Sequence, residues 1–502
     1  MQITRRHFLM GALSVATSGA LVTQFGAKKL FSYVKPEPRR ISLEAFDAKL
    51  FYDVCIIGSG PAGATLGQHL VNQGLRTVIL ESGFFLAKDQ IDPRLHQMEM
   101  YRSVGPVDYP LISTRVRAIG GTSNIWTGRC ARLHPIDFEP NAYTPAGADW
   151  PFRYAELEPY YAEAERTLRV RGAKLSAFQA PRHNDLPLQS NVDDSEARTL
   201  MEQIGITVDQ PPTSTGNWGG PIRAAVDLLP NFTDSHLATL VSGATATRLH
   251  VEADGSISGV TIQHLNGAAK IVRAATVVVA CGAVESARLL QLSTSPNHPQ
   301  GIGNHHDLVG RFFGEHPHLH WVGAIPHRPS KRQMVRTHQF YDQFKKEGLG
   351  ALTLVFDWRD DEKENLRIAT TTEMRPQFTN RVMLSPELPD YFGNPGVDLW
   401  LDFAEEDLAT FQRATEVVET IYAELGATDV HRDRESWGHH HVGTCRMGHN
   451  PETSVLDANL RVHESPNLYV LSSAAFVTGG AGHPTVAIVA LSHRLAEHLT
   501  GG

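Results

Sequence analysis

The stretch that decides the fold is residues 52–81, YDVCIIGSGPAGATLGQHLVNQGLRTVILE. Its apolar run at residues 54–57 predicts a strand that is buried on both faces. Leu66 and Leu70 then keep helical spacing, and a second apolar run at residues 77–80 predicts another strand. The stretch therefore predicts a complete βαβ unit, with a G-x-G-x-x-G turn between its first strand and its helix.

The turn carries a dinucleotide-binding pattern. Gly58 allows the tight turn, Gly60 lets the backbone approach a pyrophosphate, and Gly63 lets the helix pack closely on the strand. The pyrophosphate is expected at the helix N-terminus, where free N–H groups favour negative charge. Glu81 ends the second strand; it is expected to accept hydrogen bonds from ribose hydroxyls, and its charge disfavours a 2′-phosphate.

Length and composition limit the class of protein. At 502 residues the chain exceeds the roughly 250–300 at which a single core stops growing, so we expect two domains. A formal net charge of −8 gives no reason to expect binding to nucleic acid or to an anionic membrane. The four cysteines contain no C-x-x-C pair, and we interpret them as buried thiols rather than as disulfides or metal ligands.

The N-terminus is interpreted as an export segment and not as part of the fold. The sequence TRRHFL at residues 4–9 opens a weakly apolar segment, residues 8–22, which is typical of a twin-arginine signal. The segment is too short and too rich in small residues to predict a membrane span. We assign residues 1–35 to this signal and its linker, with cleavage after Ala20 or Ala27 and a periplasmic or extracellular location. An ordinary basic tail and an uncleaved anchor stay open alternatives.

Later segments extend the predicted nucleotide-binding domain. Residues 120–123, Gly-Gly-Thr-Ser, would let the backbone approach a flat ligand closely. Residues 275–280 predict another fully buried strand, which leads through a glycine into a helix and fits the closing strand of the same sheet. Residues 244–251 and 257–263 predict a hairpin.

The pattern changes in the region between residues 319 and 435. Strands are predicted at residues 322–325, 351–356, 380–385 and 398–403, and a helix at residues 407–425. This pattern predicts an antiparallel sheet platform that is inserted as a separate domain.

Several motifs, in this order, resemble those of the glucose–methanol–choline (GMC) family of FAD-dependent alcohol oxidases and dehydrogenases. They are GSGPAG with Glu81, RAIGGTSNIW, DWP, VVVACGAVESARLL, GRFFGEHPH, HHVGTCRMG and GGAGHPTVAIVALSHRLAEHL. The resemblance implies an α/β protein in which a Rossmann-like FAD-binding domain holds an inserted α+β substrate domain built on an antiparallel sheet. The GTSxxW, DWP and TCRMG forms are most similar to the bacterial branch that oxidises sugars, polyols and related alcohols.

The resemblance also implies how the domains alternate along the chain. Parts of the FAD-binding domain are expected at residues 48–150, 226–315 and 437–502. Parts of the substrate domain are expected at residues 151–225 and 316–436.

The resemblance places two active-site histidines and a set of FAD contacts. One family histidine stands three residues before a Gly-Thr pair, which matches His440 rather than His439 or His441. The second position, His or Asn in the family, matches His483, directly before a proline. The residues assigned to FAD by the motifs and the resemblance are Gly58, Gly60, Pro61, Ala62, Gly63, Glu81, Arg117, Gly120, Gly121, Thr122, Ser123, Asn124, Trp126, Ala246, Gly282, Ser472, Pro484 and Thr485.

Two positions depart from the family pattern. Ser472 stands where many members have an aspartate near the FAD diphosphate, which weakens the expectation of that contact. Ile125 stands where some sugar-oxidising relatives carry a flavin-linked histidine, so we expect FAD to be bound non-covalently. Arg115 and Arg117 have two alternative interpretations, contact with an FAD phosphate or contact with solvent.

No metal site is expected. His316, His318 and His320 alternate, so on a strand they would share one face, as metal ligands could. The segment that contains Glu315 and these histidines recurs in the family, however, and this favours a structural role.

The expected reaction follows from the chemistry of histidine. Oxidation of an alcohol removes the hydroxyl proton and transfers a hydride from the same carbon to flavin N5. A neutral histidine, with an ordinary pKa of about 6.5, suits the proton transfer. We therefore expect His440 to accept the proton and His483 to orient the oxygen of a sugar, glycoside or polyol.

Other functions are weighed against this one. The main alternative is the flavoprotein subunit of a multi-subunit dehydrogenase that passes electrons to a cytochrome or quinone. The sequence contains no C-x-x-C-H, so any haem would belong to a partner chain, a cytochrome or a small subunit. A silent FAD-containing binding protein is disfavoured by the two histidines, and a pyridine-nucleotide–flavin reductase by the lack of a second G-x-G-x-x-G.

Overall fold

The structure is a computed structural model that describes residues 39–86, 100–145, 149–172, 176–183, 185–187, 193–217, 220–361 and 364–501. The predicted export signal, with its alternative cleavage sites, lies outside the described residues. Within the described ranges, no helix combines the length and apolar character that crossing a membrane requires.

The helices and strands are named in chain order. The strands are β1 (Ile41–Ser42), β2 (Phe51–Ile57), β3 (Thr77–Glu81), β4 (Tyr101–Ser103), β5 (Val170–Arg171), β6 (Thr213–Ser214), β7 (Ala238–Ser242), β8 (Thr245–Val251), β9 (Ile257–Gln263), β10 (Ala269–Val279), β11 (Pro317–Ala324), β12 (Met334–Thr337), β13 (Leu352–Trp358), β14 (Leu366–Thr372), β15 (Arg381–Pro389), β16 (Pro395–Trp400), β17 (Thr428–Trp437) and β18 (Leu468–Val470). The helices are α1 (Pro61–Asn72), α2 (Tyr154–Thr167), α3 (Ser195–Gln203), α4 (Leu229–Thr233), α5 (Gly282–Leu292), α6 (Tyr341–Lys346), α7 (Glu405–Glu424) and α8 (Pro484–Thr500).

A parallel sheet forms the centre of the first domain. Its strands lie in the order β1-β7-β3-β2-β10, and β18 also pairs with β10 in parallel. Cys55 and Ile56 in β2 are fully buried, as the predicted strand at residues 54–57 requires. Helix α8 packs against α1 and α2 beside this sheet. The prediction of an α/β fold with a Rossmann-like domain is confirmed.

Strand β10 pairs antiparallel with one neighbour and parallel with another. Its first residues, 269–272, pair antiparallel with β9, and residues 277–279 pair in parallel with β18. Strands β8 and β9 form the predicted hairpin, within one residue of the predicted bounds. The hairpin therefore extends the parallel sheet at its edge.

A second sheet forms the platform. Its strands lie in the order β12-β13-β14-β11-β17, and every neighbouring pair is antiparallel. Helix α7 packs its buried face, including Val418 and Ile421, against the apolar side chains of this sheet.

Two strands that the sequence assigned to the platform belong elsewhere. The predicted strands at residues 380–385 and 398–403 correspond to β15 and β16, which pair with each other and with β4 in a separate three-stranded sheet. The assignment was wrong because an alternating pattern predicts a strand but not its partner, and β4 comes from a distant part of the chain.

The platform brings two distant segments together at the cleft. Strand β11 begins directly after Glu315 and His316, and β17 ends three residues before His440. Pro317 pairs with Trp437, and Gly314 forms an antiparallel bridge with Val442. The segments at residues 314–317 and 437–442 therefore lie side by side.

Candidate active site

A long cleft opens at the carboxyl ends of β2 and β3, where α1 begins. Its cavity volume is about 400 Å³. It reaches from the glycine turn to His440 and His483. The residues predicted to bind FAD that line it are Gly58, Gly60, Pro61, Ala62, Glu81, Arg117, Gly121, Thr122, Ser123, Trp126, Ala246, Gly282, Ser472, Pro484 and Thr485.

Three other residues that were assigned to FAD lie behind the wall of the cleft. A Cβ at Gly63 would lie 2.1 Å from the Gly58 carbonyl oxygen, so this glycine serves the close helix–strand packing. Gly120 has a φ of +87° and packs against Ala225. The Asn124 amide donates to the Ile119 and Gly121 carbonyl oxygens, at 2.9 and 2.8 Å. Gly63 therefore serves the packing of α1, and Gly120 and Asn124 shape their own loop; none of the three lines the cleft.

The glycine turn leaves room for a dinucleotide. A Cβ built at Gly60 would meet no atom of the described residues within 4 Å, so the backbone there faces open space. Helix α1 begins after Gly60 without a side-chain cap, which leaves its first N–H groups available to an anion. The turn therefore fits the pyrophosphate of FAD.

Glu81 ends β3 at the edge of the cleft and is already hydrogen bonded. Its Oε2 accepts from the Ser59 hydroxyl at 2.5 Å, and its Oε1 accepts from the Gly83 N–H at 2.8 Å. Burial raises the pKa of Glu81, although these hydrogen bonds oppose the effect. A ribose hydroxyl would be a further partner for this carboxyl group.

Arg115 and Arg117 both line the cleft, and both are paired with a buried acid. Both pair with Glu285 on α5, at 3.7 and 2.6 Å, and the Arg115 guanidinium stacks on the Tyr101 ring at 3.9 Å. Burial alone would raise the pKa of Glu285, but the charges of Arg117, Arg288 and Arg115 outweigh it and lower that pKa. The ion pairs with Glu285 thus tie the segment of Arg115 and Arg117 to α5, and both form part of the wall of the cleft.

The two predicted active-site histidines lie together at the far end of the cleft. The ring centroids of His440 and His483 are 5.4 Å apart, and the rings meet at 76°. His483 immediately precedes α8, and its N–H donates to the Ala131 carbonyl oxygen at 3.2 Å. Its Nδ1 is buried and has no hydrogen-bond partner in the described part of the chain. The pair thus presents polar atoms to a ligand.

His316 lies beside His440, which the sequence did not predict. The Nδ1 atoms of the two rings are 2.8 Å apart. Burial lowers the pKa of His316 to about 4 and that of His440 well below its ordinary value. Both rings are therefore neutral near pH 7. The sequence grouped His316 with His318 and His320 because the three alternate, and so it gave no sign of this contact. Only the pairing of residue 317 with residue 437 would have indicated it.

A buried carboxyl group holds the backbone of His316 and His440 in place. Glu315 Oε1 accepts from the backbone N–H groups of His316 and His440, at 2.7 and 2.6 Å. Its Oε2 accepts from the Tyr109 hydroxyl, which also lies 2.8 Å from His441 Nε2. Burial raises the pKa of Glu315 to about 7. His441, which the resemblance did not choose, lies in this network, and both it and His439 line the cleft.

Residues of the platform fix the loop that carries His483. The Gly480 N–H donates to Glu373 Oε1 at 2.9 Å, and the Ala481 N–H donates to the Tyr341 hydroxyl at 3.0 Å. Lys345, which is fully buried, pairs with Glu373 at 2.8 Å. The position of His483 therefore depends on the second domain as well as on α8.

The alternating histidines have separate partners. His320 Nε2 lies 2.7 Å from the Ser436 hydroxyl, and His318 Nε2 lies 3.4 Å from that of Thr371. In the described ranges, no three His, Cys, Asp or Glu side chains are grouped so as to hold a metal ion.

Family models match three parts of the chain. A model described as an FAD binding domain matches residues 51–144. Two models described as GMC oxidoreductase match residues 214–318 and 376–492. Together they cover the glycine turn, β10 and the two segments that carry His440 and His483.

Relatives match nearly the whole chain. Paromamine 6'-oxidase of Streptomyces fradiae is 30% identical over 93% of this chain and 95% of its own. The fructose dehydrogenase large subunit of Gluconobacter japonicus is 24% identical over 89% of this chain and 97% of its own. The crystal structure of pyridoxine 4-oxidase from Mesorbium loti superposes with a TM-score of 0.65 and 20% identity, over 89% of this chain and 99% of that one. The chain belongs to the GMC oxidoreductase family and is an FAD-dependent oxidoreductase that acts on CH–OH groups.

Proposed function

We propose that the protein oxidises a hydroxyl-bearing carbon of a sugar, glycoside or polyol. The observation that carries the proposal is the convergence of His440 and His483 at one end of a cleft whose other end is the glycine turn. The printed names of the paromamine 6'-oxidase and the fructose dehydrogenase large subunit support this substrate class. Bound FAD supplies the hydride acceptor.

His440 is the proposed base. In its neutral form one ring nitrogen carries hydrogen and the other accepts. If Nδ1–H donates to Nδ1 of His316, then Nε2 of His440 keeps a lone pair and accepts the substrate hydroxyl proton. A positioned base of this kind contributes typically 10²–10⁴-fold to the rate.

His483 is the proposed second ligand of the substrate oxygen. It stands on a loop that Glu373 and Tyr341 hold in place, so its ring can orient the hydroxyl while His440 removes the proton. Burial lowers the pKa of His483 well below its ordinary value, so it too is neutral near pH 7. A neutral ring can donate a hydrogen bond to the substrate oxygen through its one N–H.

FAD is proposed to bind non-covalently. The glycine turn and the N-terminus of α1 would hold its pyrophosphate, Glu81 its ribose, and Gly121 and Thr122 would approach its ring. Ile125 stands at the position where some sugar-oxidising relatives carry the linked histidine, and its side chain cannot form that bond. Denaturation followed by filtration should release all of the flavin.

A panel of alcohols tests the proposed substrate class. The purified FAD-loaded protein is mixed without oxygen with sugars, glycosides, polyols and simple alcohols, and the flavin absorbance is followed. Sugars or polyols should bleach the flavin. Bleaching by simple alcohols alone would contradict the proposal.

A second candidate function is that of a flavoprotein subunit in a larger dehydrogenase. The observation in its favour is the relative that is named as a large subunit. In that case a cytochrome or small-subunit partner, or a quinone, would take the electrons. Reoxidation of the bleached protein by oxygen, by a quinone and by cytochrome separates this function from that of an oxidase.

We also propose export by the twin-arginine route, on the basis of the sequence at residues 4–9. Replacement of Arg5 and Arg6 by lysine should leave the protein in the cytoplasm. An unchanged distribution after cell fractionation would contradict this.

A further inference from the structure

Two arginines lie on one side of the candidate active site, and neither has an acidic partner among the described residues. Arg336 is on β12, two residues after Met334, so the two side chains share a face of that strand. Arg129 Nη2 contacts Met334 Sδ at 3.2 Å, and Arg129 lines the cleft. Both guanidinium groups therefore lie along the same face of β12.

The surroundings of Arg336 do not balance its charge. Its side chain is only 6% exposed, Nη1 donates to the Thr353 hydroxyl at 3.3 Å, and Nε is buried without a partner. Burial and the neighbouring charge of Arg129 lower the pKa of Arg336 to about 9, so it remains charged near pH 7. In the described ranges, no carboxylate forms an ion pair with it.

Most other buried cations of the described residues are paired; Arg446, which is not, packs on the Phe312 ring at 3.6 Å. Arg132 faces Glu158 and Glu165, and Lys345 faces Glu373. A buried charge is costly unless a counter-charge is present. Among the described residues Arg336 has neither an ion pair nor an aromatic ring against its guanidinium, and this points to a counter-charge from a ligand.

Arg129 lines the same cleft as His440 and His483, and the charges of both arginines act on His483. Burial lowers the pKa of His483, and the charges of Arg336 and Arg129 lower it further. The charge of Arg336 also contributes to the low pKa of His440. An anion held by the two guanidinium groups would thus lie near the reacting hydroxyl.

We infer that Arg129 and Arg336 bind an anionic group, a carboxylate or a phosphate, on the alcohol that this protein oxidises. A guanidinium binds both kinds of anion through paired, charge-assisted hydrogen bonds. The substrate would be an acidic or phosphorylated sugar or polyol, with its anion at the arginines and its hydroxyl at His440 and His483. The inference rests on the proposed function, because it names the substrate class of the same site.

Binding is tested first, with anions that carry no alcohol. Succinate and inorganic phosphate are titrated into the FAD-loaded protein in a calorimeter. At least one should bind, and Arg336→Gln should weaken binding about ten- to a hundredfold. Arg332→Gln is the matched control: Arg332 is near in sequence, but its side chain is 61% exposed and pairs with Asp357. Equal binding by the wild type and both variants would overturn the inference.

Selectivity is tested next, with methyl glucoside, glucuronic acid and glucose 6-phosphate as reductants of the flavin. The acid or the phosphate should reduce the flavin with the higher kcat/KM. Arg336→Gln should lower that preference about ten- to a hundredfold, while Arg336→Lys retains part of it. The comparison between acid and phosphate identifies the anion. The flavin content and Tm of each variant report whether it has folded.

The outcomes separate this inference from the proposed function. Faster reduction by the neutral glucoside would overturn the inference and leave the proposed function intact. Anions that inhibit without any preference for acidic substrates would also overturn it. If no sugar or polyol reduces the flavin, the proposed function fails, and the claim that the anion belongs to its substrate fails with it. Arginine-dependent calorimetric binding would then establish a free-anion site instead.

Discussion

The Nδ1 atoms of His316 and His440 lie 2.8 Å apart, and both rings are neutral near pH 7. One of the two nitrogens must then carry hydrogen and the other must not. If the hydrogen belonged to His316, Nε2 of His440 would be protonated and could not act as a base. The tautomer of His316 therefore decides whether His440 can perform the proposed chemistry.

Replacement of His316 tests this dependence. His316→Ala removes the acceptor for Nδ1–H of His440, so flavin reduction should slow about 10- to 1000-fold with little change in FAD content. His316→Asn, whose carbonyl oxygen can accept the same hydrogen bond, should recover part of the rate. Stopped-flow measurement without oxygen gives the rates. The control is His320→Asn, since His320 contacts Ser436 and Arg367 instead. An equal loss of rate in His316→Ala and His316→Asn would contradict the tautomer argument.

The pH dependence of flavin reduction should reflect the depressed histidine pKa values. Burial and neighbouring positive charges lower the pKa of His440, so protonation removes the base only below the ordinary pKa of about 6.5. Arg336→Gln removes one of those charges, so it should move this loss of rate to higher pH. The pH profile is measured in the Glu315→Gln variant, because the raised pKa of Glu315 lies in the same pH range and its titration would overlap that of His440. If the rate of this variant falls with a midpoint at or above pH 6.5, the pKa of His440 is not lowered.

Glu315 should make the folded protein less stable as the pH rises. Burial raises its pKa from 4.5 to about 7, so the folded protein holds a proton that the unfolded chain has already lost. The stabilising contribution is complete below pH 4.5 and is lost as the pH rises through 7, by on the order of 3 kcal/mol. The Tm of the wild type relative to Glu315→Gln should fall over this range. A constant difference would show that Glu315 is already ionised at low pH.

Two glycines of the turn should respond differently to alanine. Gly60→Ala places a methyl group in open space, so the protein should fold normally but bind FAD at least about tenfold more weakly. Gly63→Ala places it 2.1 Å from the Gly58 carbonyl oxygen, so it should cost about 1–3 kcal/mol of stability. Thermal melts of the apoprotein and FAD titrations measure the two effects. Equal loss of stability in both variants would contradict the assignment of Gly60 to the cofactor.

Local patterns were sufficient to predict the elements around the glycine turn. The apolar run at residues 54–57 lies within β2 (Phe51–Ile57), and the predicted hairpin matches β8 and β9. Periodicity and glycine positions are properties of neighbouring residues, so the sequence contains them directly. Motif resemblance predicted His440 and His483 as active-site residues, and the two rings meet at the end of the cleft.

Long-range pairing could not be predicted in the same way. The contact between His316 and His440 depends on the register of β11 with β17, and the partner of β16 is β4. The environment of Arg336 depends on which side chains meet across β12, β13 and the loop that carries Arg129. None of these contacts leaves a periodic signal in the sequence.

The rate of flavin reduction in His440→Ala tests the central claim most directly. The variant is loaded with FAD and mixed without oxygen with the best substrate of the wild type, in a stopped-flow spectrometer. The account predicts normal FAD content and a rate lower by about 10²–10⁴-fold. A rate close to that of the wild type would show that His440 is not the base.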